Sequence, residues 1–334
     1  MHFSRTLLLA TVFSGTVSVS AEELQPYDAQ LSGFDYAYPV QRFELESQRQ
    51  SLEIAYIDVT PEEPNGRTVV LMHGKNFCAG TWERTIAELM EAGYRVIAPD
   101  QIGFCKASKP EHYQFSLHQL AANTHALLQS LEQEKVTVMG HSMGGMLATR
   151  YALMYPDQVE QLVLVNPIGL EDWKAKGVPY QTIEENYQSE LGKTAEGIKA
   201  YQKSTYYVGE WEPEYDRWVN MLAGMYLGDD KQLVAWNQAL TTDMVFTQPV
   251  VYEFDELAMP TLLLIGGKDN TAIGKAQAPA EIRDTLGRYD LLGKEVARII
   301  PKASLVEFPQ LGHSPQIQSP ELFHEALIKG LAEL

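Results

Sequence analysis

The sequence predicts an α/β fold, in which a doubly wound and mostly parallel sheet carries helices on both faces. Short apolar runs alternate with helical patterns along most of the chain. Most of these runs are continuous, as is typical of parallel strands that are covered on both faces. One long interruption breaks the alternation in the second half of the chain. Together these observations predict an eight-stranded sheet with a single helical insertion.

Two of the predicted strands differ from the rest. Residues 40–46 and 52–60 alternate apolar and polar side chains, which indicates an antiparallel pair. The other six strands are expected to be parallel, so the loops at their carboxyl ends should meet at one edge of the sheet. They are Thr68–Met72, Arg95–Pro99, Val136–Met139, Leu162–Val165, Thr261–Ile265 and Ser304–Phe308.

Helix starts are indicated by capping residues and by proline. We expect a further helical excursion around Ala278–Ile300. The other expected starts are near Trp82 with Thr81 as the cap, after Ser116 with Gln119 completing a capping box, at Ser142, and at Pro320 behind Ser319.

The interruption covers residues 168–260, which lack a good strand and hold 14 of the 33 aromatic residues. We interpret it as a helical lid, whose aromatic side chains would wall an apolar pocket with few rotamers to freeze. The alternative is a helical subdomain whose aromatics form its own core, with only a handful lining a cavity. With either interpretation of the interruption, the α/β core comprises residues 22–167 and 261–334. Four tryptophans lie in the interruption: Trp173, Trp211, Trp218 and Trp236.

The first residues have the pattern of a secretory signal peptide. Arg5 precedes a short apolar run, and small residues stand before Glu22. We predict a signal at residues 1–21 with cleavage after Ala21, and hence a periplasmic or secreted protein. A retained N-terminal anchor is the alternative, although the run is short and polar for a membrane span.

The remaining 313 residues (334 minus 21) would carry 25 Lys and Arg against 44 Asp and Glu, a formal charge of −19. Such a surface repels polyanions, which argues against nucleic acid and anionic membranes as partners.

The only two cysteines are Cys78 and Cys105. Each follows a predicted parallel strand, and the two strands should be neighbours. In an oxidising compartment, a pair of cysteines favours a disulfide over two free thiols. We therefore predict a Cys78–Cys105 bridge.

A candidate nucleophile lies between the strand at Val136–Met139 and the helix after it. Gly140-His-Ser142-Met-Gly144 joins the two with almost no loop, which forces Ser142 onto a sharp, strained turn with its Oγ held off the edge of the sheet. The flanking glycines avoid side-chain collisions across this bend. The first turn of the helix supplies unpaired N–H groups where an oxyanion would form.

His313 is the expected general base among eight histidines. It lies in a loop rich in glycine and proline, between the last predicted strand and the last helix, where parallel sheets place their chemistry. His141 is adjacent to Ser142, so its side chain should point elsewhere, and His73 is expected to stabilise a turn. The remaining histidines lie in the leader or in polar and helical settings: His2, His112, His118, His125 and His324.

Asp269 is the expected partner of His313, because it follows the strand at Thr261–Ile265 and could hold the imidazole in the required tautomer. Asp172 and Asp100 also follow strands. The first lies at the entrance to the insertion, and the second is expected to hold a turn. The order Ser142, Asp269, His313 is the one expected when a serine on such a turn begins the series.

These residues belong to motifs that resemble the α/β-hydrolase superfamily over nearly the whole mature chain. The segment from Asp100 looks most like the lidded branch with epoxide hydrolases, haloalkane dehalogenases, C–C bond hydrolases and cofactor-free haloperoxidases. Ser142 stands where the epoxide hydrolases and dehalogenases have a carboxylate, which disfavours their chemistry. The matching motifs are His73-Gly74, Asp100-Gln-Ile-Gly-Phe-Cys-Lys-Ala-Ser-Lys-Pro110, Gly140-His-Ser-Met-Gly144, Gly267-Lys-Asp269 and Gly312-His313.

The resemblance implies an oxyanion hole formed by the backbone N–H groups of Met143 and Lys75, with Asn76 as the alternative to Lys75. Lysine departs from the apolar residue usual at this position. We therefore consider that Lys75, with Lys106, supplies positive charge for a substrate carboxylate or carbonyl. The alternative is a solvated lysine on a loop.

The sequence thus predicts a serine hydrolase that cleaves a small or medium acyl substrate, with a carboxylic ester as the leading candidate. Acyl transfer to an alcohol or peroxide, C–C bond hydrolysis, and ligand binding without catalysis are the alternatives. No organic cofactor is implied, and no Cys/His cluster has the spacing of a metal site.

Overall fold

The computed structural model describes residues 24–334, so the signal segment and cleavage site predicted at residues 1–21 lie outside the described residues. The described chain contains one sheet of eight strands. The strands are β1 (Val40–Ser47), β2 (Gln50–Val59), β3 (Thr68–Met72), β4 (Arg95–Pro99), β5 (Val136–His141), β6 (Val159–Val165), β7 (Thr261–Gly266) and β8 (Ala303–Phe308).

The strand order is β1-β2-β4-β3-β5-β6-β7-β8. Strand β2 is antiparallel to both β1 and β4, whereas every other neighbouring pair is parallel. The α/β fold predicted from the sequence, with a mostly parallel eight-stranded sheet, is confirmed. Because β5, β6, β7 and β8 run in the same direction, the loops that follow them open at one edge of the sheet.

Eleven α-helices accompany the sheet in the described residues. Two apolar cores cover its faces: α1 and α11 pack on one side, while α2, α3 and α9 pack on the other. The helices are α1 (Glu83–Glu91), α2 (Leu117–Ser130), α3 (Met143–Met154), α4 (Ile183–Leu191), α5 (Ala195–Tyr201), α6 (Asp216–Leu227), α7 (Lys231–Thr247), α8 (Ala280–Arg283), α9 (Tyr289–Ile299), α10 (Pro315–Gln318) and α11 (Pro320–Glu333).

Two helix caps differ from the predictions. Ser116 does cap α2, since its Oγ accepts a 2.9 Å hydrogen bond from the N–H of Gln119, but the Gln119 side chain donates to Asn123 instead of completing a capping box. Thr81 does not cap α1. Its hydroxyl donates to the carbonyl of Cys78 within a 3-10 turn, and α1 begins only at Glu83.

Residues 168–260 contain α4 to α7 and no strand. We call them the helical insertion. Several of its aromatics pack on one another, as in the alternative in which they form a core of their own: the Tyr207 and Tyr215 rings stack at 3.8 Å, and Trp211 contacts both. None of the helices in residues 24–334 combines the length and apolar character that crossing a bilayer requires.

The two cysteines lie in the loops after β3 and β4, which are neighbours in the sheet as expected. The Cα atoms of Cys78 and Cys105 are 5.7 Å apart, a separation that a disulfide can span. The geometry is therefore compatible with the predicted bridge.

Candidate active site

Ser142 is the single residue between the end of β5 and the start of α3. Its backbone has φ 57° and ψ −122°, a conformation that is strained for a residue with a side chain. The turn is tight: a Cβ on Gly140 would overlap the carbonyl oxygen of Gly144, and one on Gly144 would overlap that of Met72. The flanking glycines are thus required by close backbone approach, for the reason given by the sequence argument. Ser142 as a whole is buried, with 6% of the residue exposed.

His313 and Asp269 meet in the interior. His313 lies in the loop between β8 and α10, and Asp269 follows the end of β7. The Nδ1 atom of His313 lies 2.6 Å from Oδ2 of Asp269, and both side chains are buried. This contact fixes the imidazole with Nδ1 toward the carboxylate, which leaves Nε2 to exchange a proton.

The carboxylate of Asp269 accepts hydrogen bonds at both oxygens. Oδ1 accepts from the backbone N–H and hydroxyl of Thr271, at 2.9 and 2.7 Å. Oδ2 accepts from Asn166 Nδ2 at 2.9 Å as well as from His313. Hydrogen bonds of this kind stabilise the ionised carboxylate and fix its orientation.

Asn166 was missed by the sequence argument. It follows β6 directly with φ 36°, and its amide also bonds the backbone of Gly266 at the end of β7. An asparagine directly after a predicted parallel strand was the usable signal, because polar residues in these loops often contribute to functional sites.

His141 contacts the backbone of His313 rather than the hydroxyl of its neighbour Ser142. Its Nε2 donates a 2.8 Å hydrogen bond to the carbonyl oxygen of His313, and its ring packs 4.9 Å from that of Phe77. Burial, together with the charge that His313 can carry, holds the pKa of His141 well below its ordinary value. The neutral side chain of His141 therefore connects the end of β5, directly before Ser142, to the loop that carries His313.

The loop after β3 passes directly beside the serine. A Cβ on Gly74 would lie 2.9 Å from Cβ of Ser142, so the backbone from Gly74 to Asn76 borders the nucleophile. Met143 is the first residue of α3, where the backbone N–H has no acceptor within the helix. The two predicted oxyanion donors, Met143 and Lys75, thus come from segments that flank Ser142.

The side chain of Lys75 is bound to the helical insertion. Its Nζ donates 2.9 Å hydrogen bonds to Glu190 of α4 and to Gln238 of α7. Burial lowers the pKa of Lys75 to about 8, against the raising effect of the Glu190 charge. Burial raises the pKa of Glu190, but the charges of Lys193 and Lys75 outweigh it and hold that pKa at about 2.

This pairing argues against the hypothesis that Lys75 and Lys106 supply positive charge for a carboxylate or carbonyl on the substrate. The ammonium of Lys75 is already paired with Glu190. The ammonium of Lys106 donates to the carbonyl of Leu31 at 2.7 Å and lies 4.9 Å above the ring of Tyr36. The alternative of a solvated Lys75 is also wrong, because its side chain is only 13% exposed.

The other candidate acids have structural roles. Asp100 accepts hydrogen bonds from the backbone of Ala79 and Lys106 and from the hydroxyl of Tyr36, and so holds the loops after β3 and β4 together. Asp172 accepts from the N–H of Lys174 at the start of the insertion. Neither bonds His313, whose Nδ1 contacts Asp269.

His73 has a structural role of the kind the sequence suggested. Its Nε2 accepts a 3.0 Å hydrogen bond from the N–H of Gln101, and its Nδ1 lies 2.8 Å from the carbonyl of Gly74. The ring thus joins the loops that follow β3 and β4.

Among residues 24–334, one group of acid and cysteine side chains is compact enough for a metal ion: Cys78, Asp100 and Cys105. Both sulfur atoms belong to the predicted bridge, and the oxygens of Asp100 already accept hydrogen bonds. We assign no metal or cofactor to these residues.

A sequence model of the alpha/beta hydrolase fold family matches residues 67–320. This stretch includes β3 to β8, the insertion, Ser142, Asp269 and His313. The chain belongs to the alpha/beta hydrolase fold family, and the resemblance read from its motifs is confirmed.

Solved structures agree with this assignment. A probable hydrolytic enzyme from Pseudomonas aeruginosa PAO1 is 66% identical, with a TM-score of 0.92, and the alignment covers 92% of this chain and 99% of that one. An esterase from Exiguobacterium antarcticum is 20% identical with a TM-score of 0.68, covering 87% of this chain and 100% of that one, which shows the shared fold alone.

Similarity to curated relatives is confined to part of their length. A 2-hydroxy-6-oxo-2,4-heptadienoate hydrolase from Pseudomonas putida is 33% identical over 31% of this chain and 39% of its own. Epoxide hydrolase A from Mycobacterium tuberculosis is 35% identical over 29% of this chain and 30% of its own. The alignments therefore span about a third of the length of these two relatives.

Proposed function

We propose that the protein is a serine hydrolase that cleaves a small or medium acyl substrate, with a carboxylic ester as the leading candidate. The observation that carries the proposal is the buried 2.6 Å contact between His313 and Asp269, at the sheet edge where Ser142 lies on its strained turn. A buried carboxylate oriented toward an imidazole is the arrangement that activates a serine hydroxyl.

In the first half of the reaction, Oγ of Ser142 attacks the carbonyl carbon of the ester, and Nε2 of His313 takes the hydroxyl proton. The backbone N–H groups of Met143 and Lys75 stabilise the negative charge on the carbonyl oxygen. His313 then returns the proton to the departing alkoxide as the C–O bond breaks. The products are an alcohol and an acyl group on Ser142.

In the second half, His313 takes a proton from water, and the resulting hydroxide attacks the acyl carbon. The same backbone groups stabilise the second tetrahedral intermediate. Ser142 leaves with the proton that His313 returns, and the acid is released. The carboxylate of Asp269, held at Nδ1 of His313, stabilises the imidazolium that forms in each half.

The helical insertion is proposed to act as a lid that selects the substrate. Its contacts with the loops around Ser142, such as Glu190 to Lys75, support this role. The 6% exposure of Ser142 also favours an enclosed site, where exclusion of water strengthens the electrostatic interactions.

The test is a panel of p-nitrophenyl esters of increasing acyl length, with lactones and amides, assayed with the protein and with Ser142→Ala. We expect turnover of at least one short or medium ester and loss of about 10³-fold or more in Ser142→Ala. Ester turnover that survives in Ser142→Ala would contradict the proposal.

C–C bond hydrolysis on the same residues is a second candidate, favoured by the likeness to the Pseudomonas putida hydrolase over the segment that matches. A vinylogous 1,5-diketone added to the panel separates the two reactions. Competing alcohol or peroxide acceptors separate hydrolysis from acyl transfer, because they change the products without requiring other residues.

We further propose that the protein is exported and cleaved after Ala21, and that Cys78 and Cys105 form a disulfide. The N-terminal sequence and the 5.7 Å Cα separation support these two proposals. Intact-mass analysis of protein recovered from the periplasm and medium, with and without reduction and alkylation, tests both. A mature chain that still contains residues 1–21, or two thiols alkylated without reduction, would contradict them.

A further inference from the structure

We propose that Tyr206 is a positioning residue. It holds the imidazole of His313 in a fixed position relative to the loop that carries Lys75 and Asn76. This inference rests on the proposed function, because it assigns a role within the same site. Tyr206 belongs to the helical insertion and is buried. It is the last residue of a π-helical turn, Gln202–Tyr206, a rare type of turn that occurs frequently at functional sites.

The ring of Tyr206 contacts the proposed general base. Its centroid lies 5.1 Å from that of the His313 imidazole, with 31° between the two planes. The ring also stacks on Phe77, at 5.3 Å and 28°. With Asp269 held at Nδ1, this packing limits rotation of the His313 imidazole.

The hydroxyl of Tyr206 contacts the other half of the site. Nδ2 of Asn76 donates a 2.9 Å hydrogen bond to it. Asn76 directly follows Lys75, whose backbone N–H is a proposed oxyanion donor. Burial, with a smaller contribution from Tyr201, raises the pKa of Tyr206 well above its ordinary value, so the hydroxyl stays neutral. The side chain of Tyr206 therefore contacts both His313 and the loop that carries Lys75 and Asn76.

The backbone of the same turn supports this placement. The N–H of His313 donates to the carbonyl of Thr205 at 3.2 Å. A Cβ on Gly312 would lie 2.5 Å from the carbonyl oxygen of Tyr206, so the turn and the His313 loop are in direct contact. The ring and hydroxyl of Tyr206 thus extend from a backbone that is itself fixed against the base.

A consequence is that docking of the insertion sets the catalytic geometry as well as enclosing the substrate. Small displacements of a positioned group reduce rates strongly, because the reacting atoms must be held in a near-attack arrangement. Loss of the Tyr206 contacts should therefore reduce kcat more than it raises KM.

The experiment is a double-mutant cycle of Tyr206→Phe and Asn76→Ala, assayed on the best ester of the panel. Both changes remove the hydrogen bond between Asn76 and Tyr206, so we expect each to lower kcat about tenfold and the double variant to be no worse than Tyr206→Phe. KM should change less than about threefold in all three, since the bond positions catalytic groups rather than substrate. Tyr206→Leu, which also removes the ring, should lower kcat about 100-fold.

Tyr180→Phe is the matched control, because Tyr180 is an exposed tyrosine of the insertion whose hydroxyl bonds Asp243. A kcat of Tyr206→Phe equal to that of Tyr180→Phe, or losses that add in the double variant, would overturn the inference. If Tyr206→Leu does not fold, the cycle decides alone. Failure of the proposed function would be distinct, because the unaltered protein would then show no turnover.

Discussion

Asn166 donates a 2.9 Å hydrogen bond to Oδ2 of Asp269, the same oxygen that contacts His313. Its amide oxygen also accepts from the N–H of Gly266, at the end of β7. The side chain thus connects β6, β7 and the acid of the proposed triad, and it orients the carboxylate that orients the base.

Replacing Asn166 should therefore impair catalysis without direct contact with the substrate. We expect Asn166→Ala to lower kcat about tenfold, because the carboxylate loses a fixed donor and the Gly266 N–H loses its acceptor. Steady-state kinetics on the best ester checks this. An unchanged kcat in a folded Asn166→Ala protein would show that Thr271 and His313 suffice to orient Asp269.

Asp269→Asn should be more severe. An amide can donate to Nδ1 of His313 and so favour the tautomer that protonates Nε2, which cannot accept the proton of Ser142. By analogy with serine proteases, kcat should fall by about 10⁴-fold. Asp172→Asn is the control, since that carboxylate bonds the N–H of Lys174 at the start of the insertion. Equal losses in the two variants would contradict the assignment of Asp269.

The ion pairs that Glu190 forms with Lys193 and Lys75 should make the stability of the fold depend on pH. The pKa of Glu190 is lowered to about 2 from a reference value of 4.5, so its ionised form stabilises the fold above pH 4.5. That contribution is lost as the pH falls from 4.5 toward 2. Glu190→Gln should cost about 3 kcal/mol near neutral pH, because it leaves buried Lys75 without its counter-charge.

Urea denaturation at several pH values checks this prediction. The difference in the free energy of unfolding between the protein and Glu190→Gln should shrink as the pH is lowered below 4.5. Glu184→Gln, an exposed change on the same helix, is the control. A difference that stays constant down to the lowest pH at which the protein folds would rule out the ion pairs as its source.

The Cys78–Cys105 bridge should contribute to stability. It would close a loop over a sequence separation of 27, for which the chain-entropy account gives about 3–4 kcal/mol. Reduction, or the double change to alanine, should lower the free energy of unfolding by an amount of that order. Equal stability of the oxidised protein and the double alanine variant would contradict the prediction.

The central residues of the candidate site could be predicted because their signals are local. Ser142, Asp269 and His313 each follow a short apolar run, and parallel strands bring such positions to one edge. A Cβ at Gly140 or Gly144 would overlap neighbouring backbone, which shows why the spacing of these glycines was informative.

The contacts made by the insertion could not be predicted in this way. Glu190 reaches Lys75 across 115 residues of sequence, and Tyr206 reaches Asn76 across 130. These pairs depend on how the helices of the insertion pack on the core, which helical periodicity does not determine. The same limit explains why Lys75 was expected to face a carboxylate or carbonyl of the substrate, whereas it binds the carboxylate of Glu190.

The capping errors have a related cause. Threonine is a residue type that often caps helices, but here the 3-10 turn Ala79–Trp82 precedes α1. The hydroxyl of Thr81 donates to the carbonyl of Cys78 at the start of that turn. Whether a threonine hydroxyl caps a helix or bonds a nearby carbonyl depends on the local backbone geometry, which the residue type alone does not specify.

The central claim is that Ser142 is a nucleophile activated by His313, and covalent labelling with a fluorophosphonate tests it most directly. Intact-mass and peptide analysis should show one phosphonyl adduct on Ser142, with labelling abolished in Ser142→Ala and strongly slowed in His313→Ala. Ser304→Ala, an exposed serine on β8, should label like the unaltered protein. Labelling that persists in Ser142→Ala, or a protein that the probe does not label, would contradict the account.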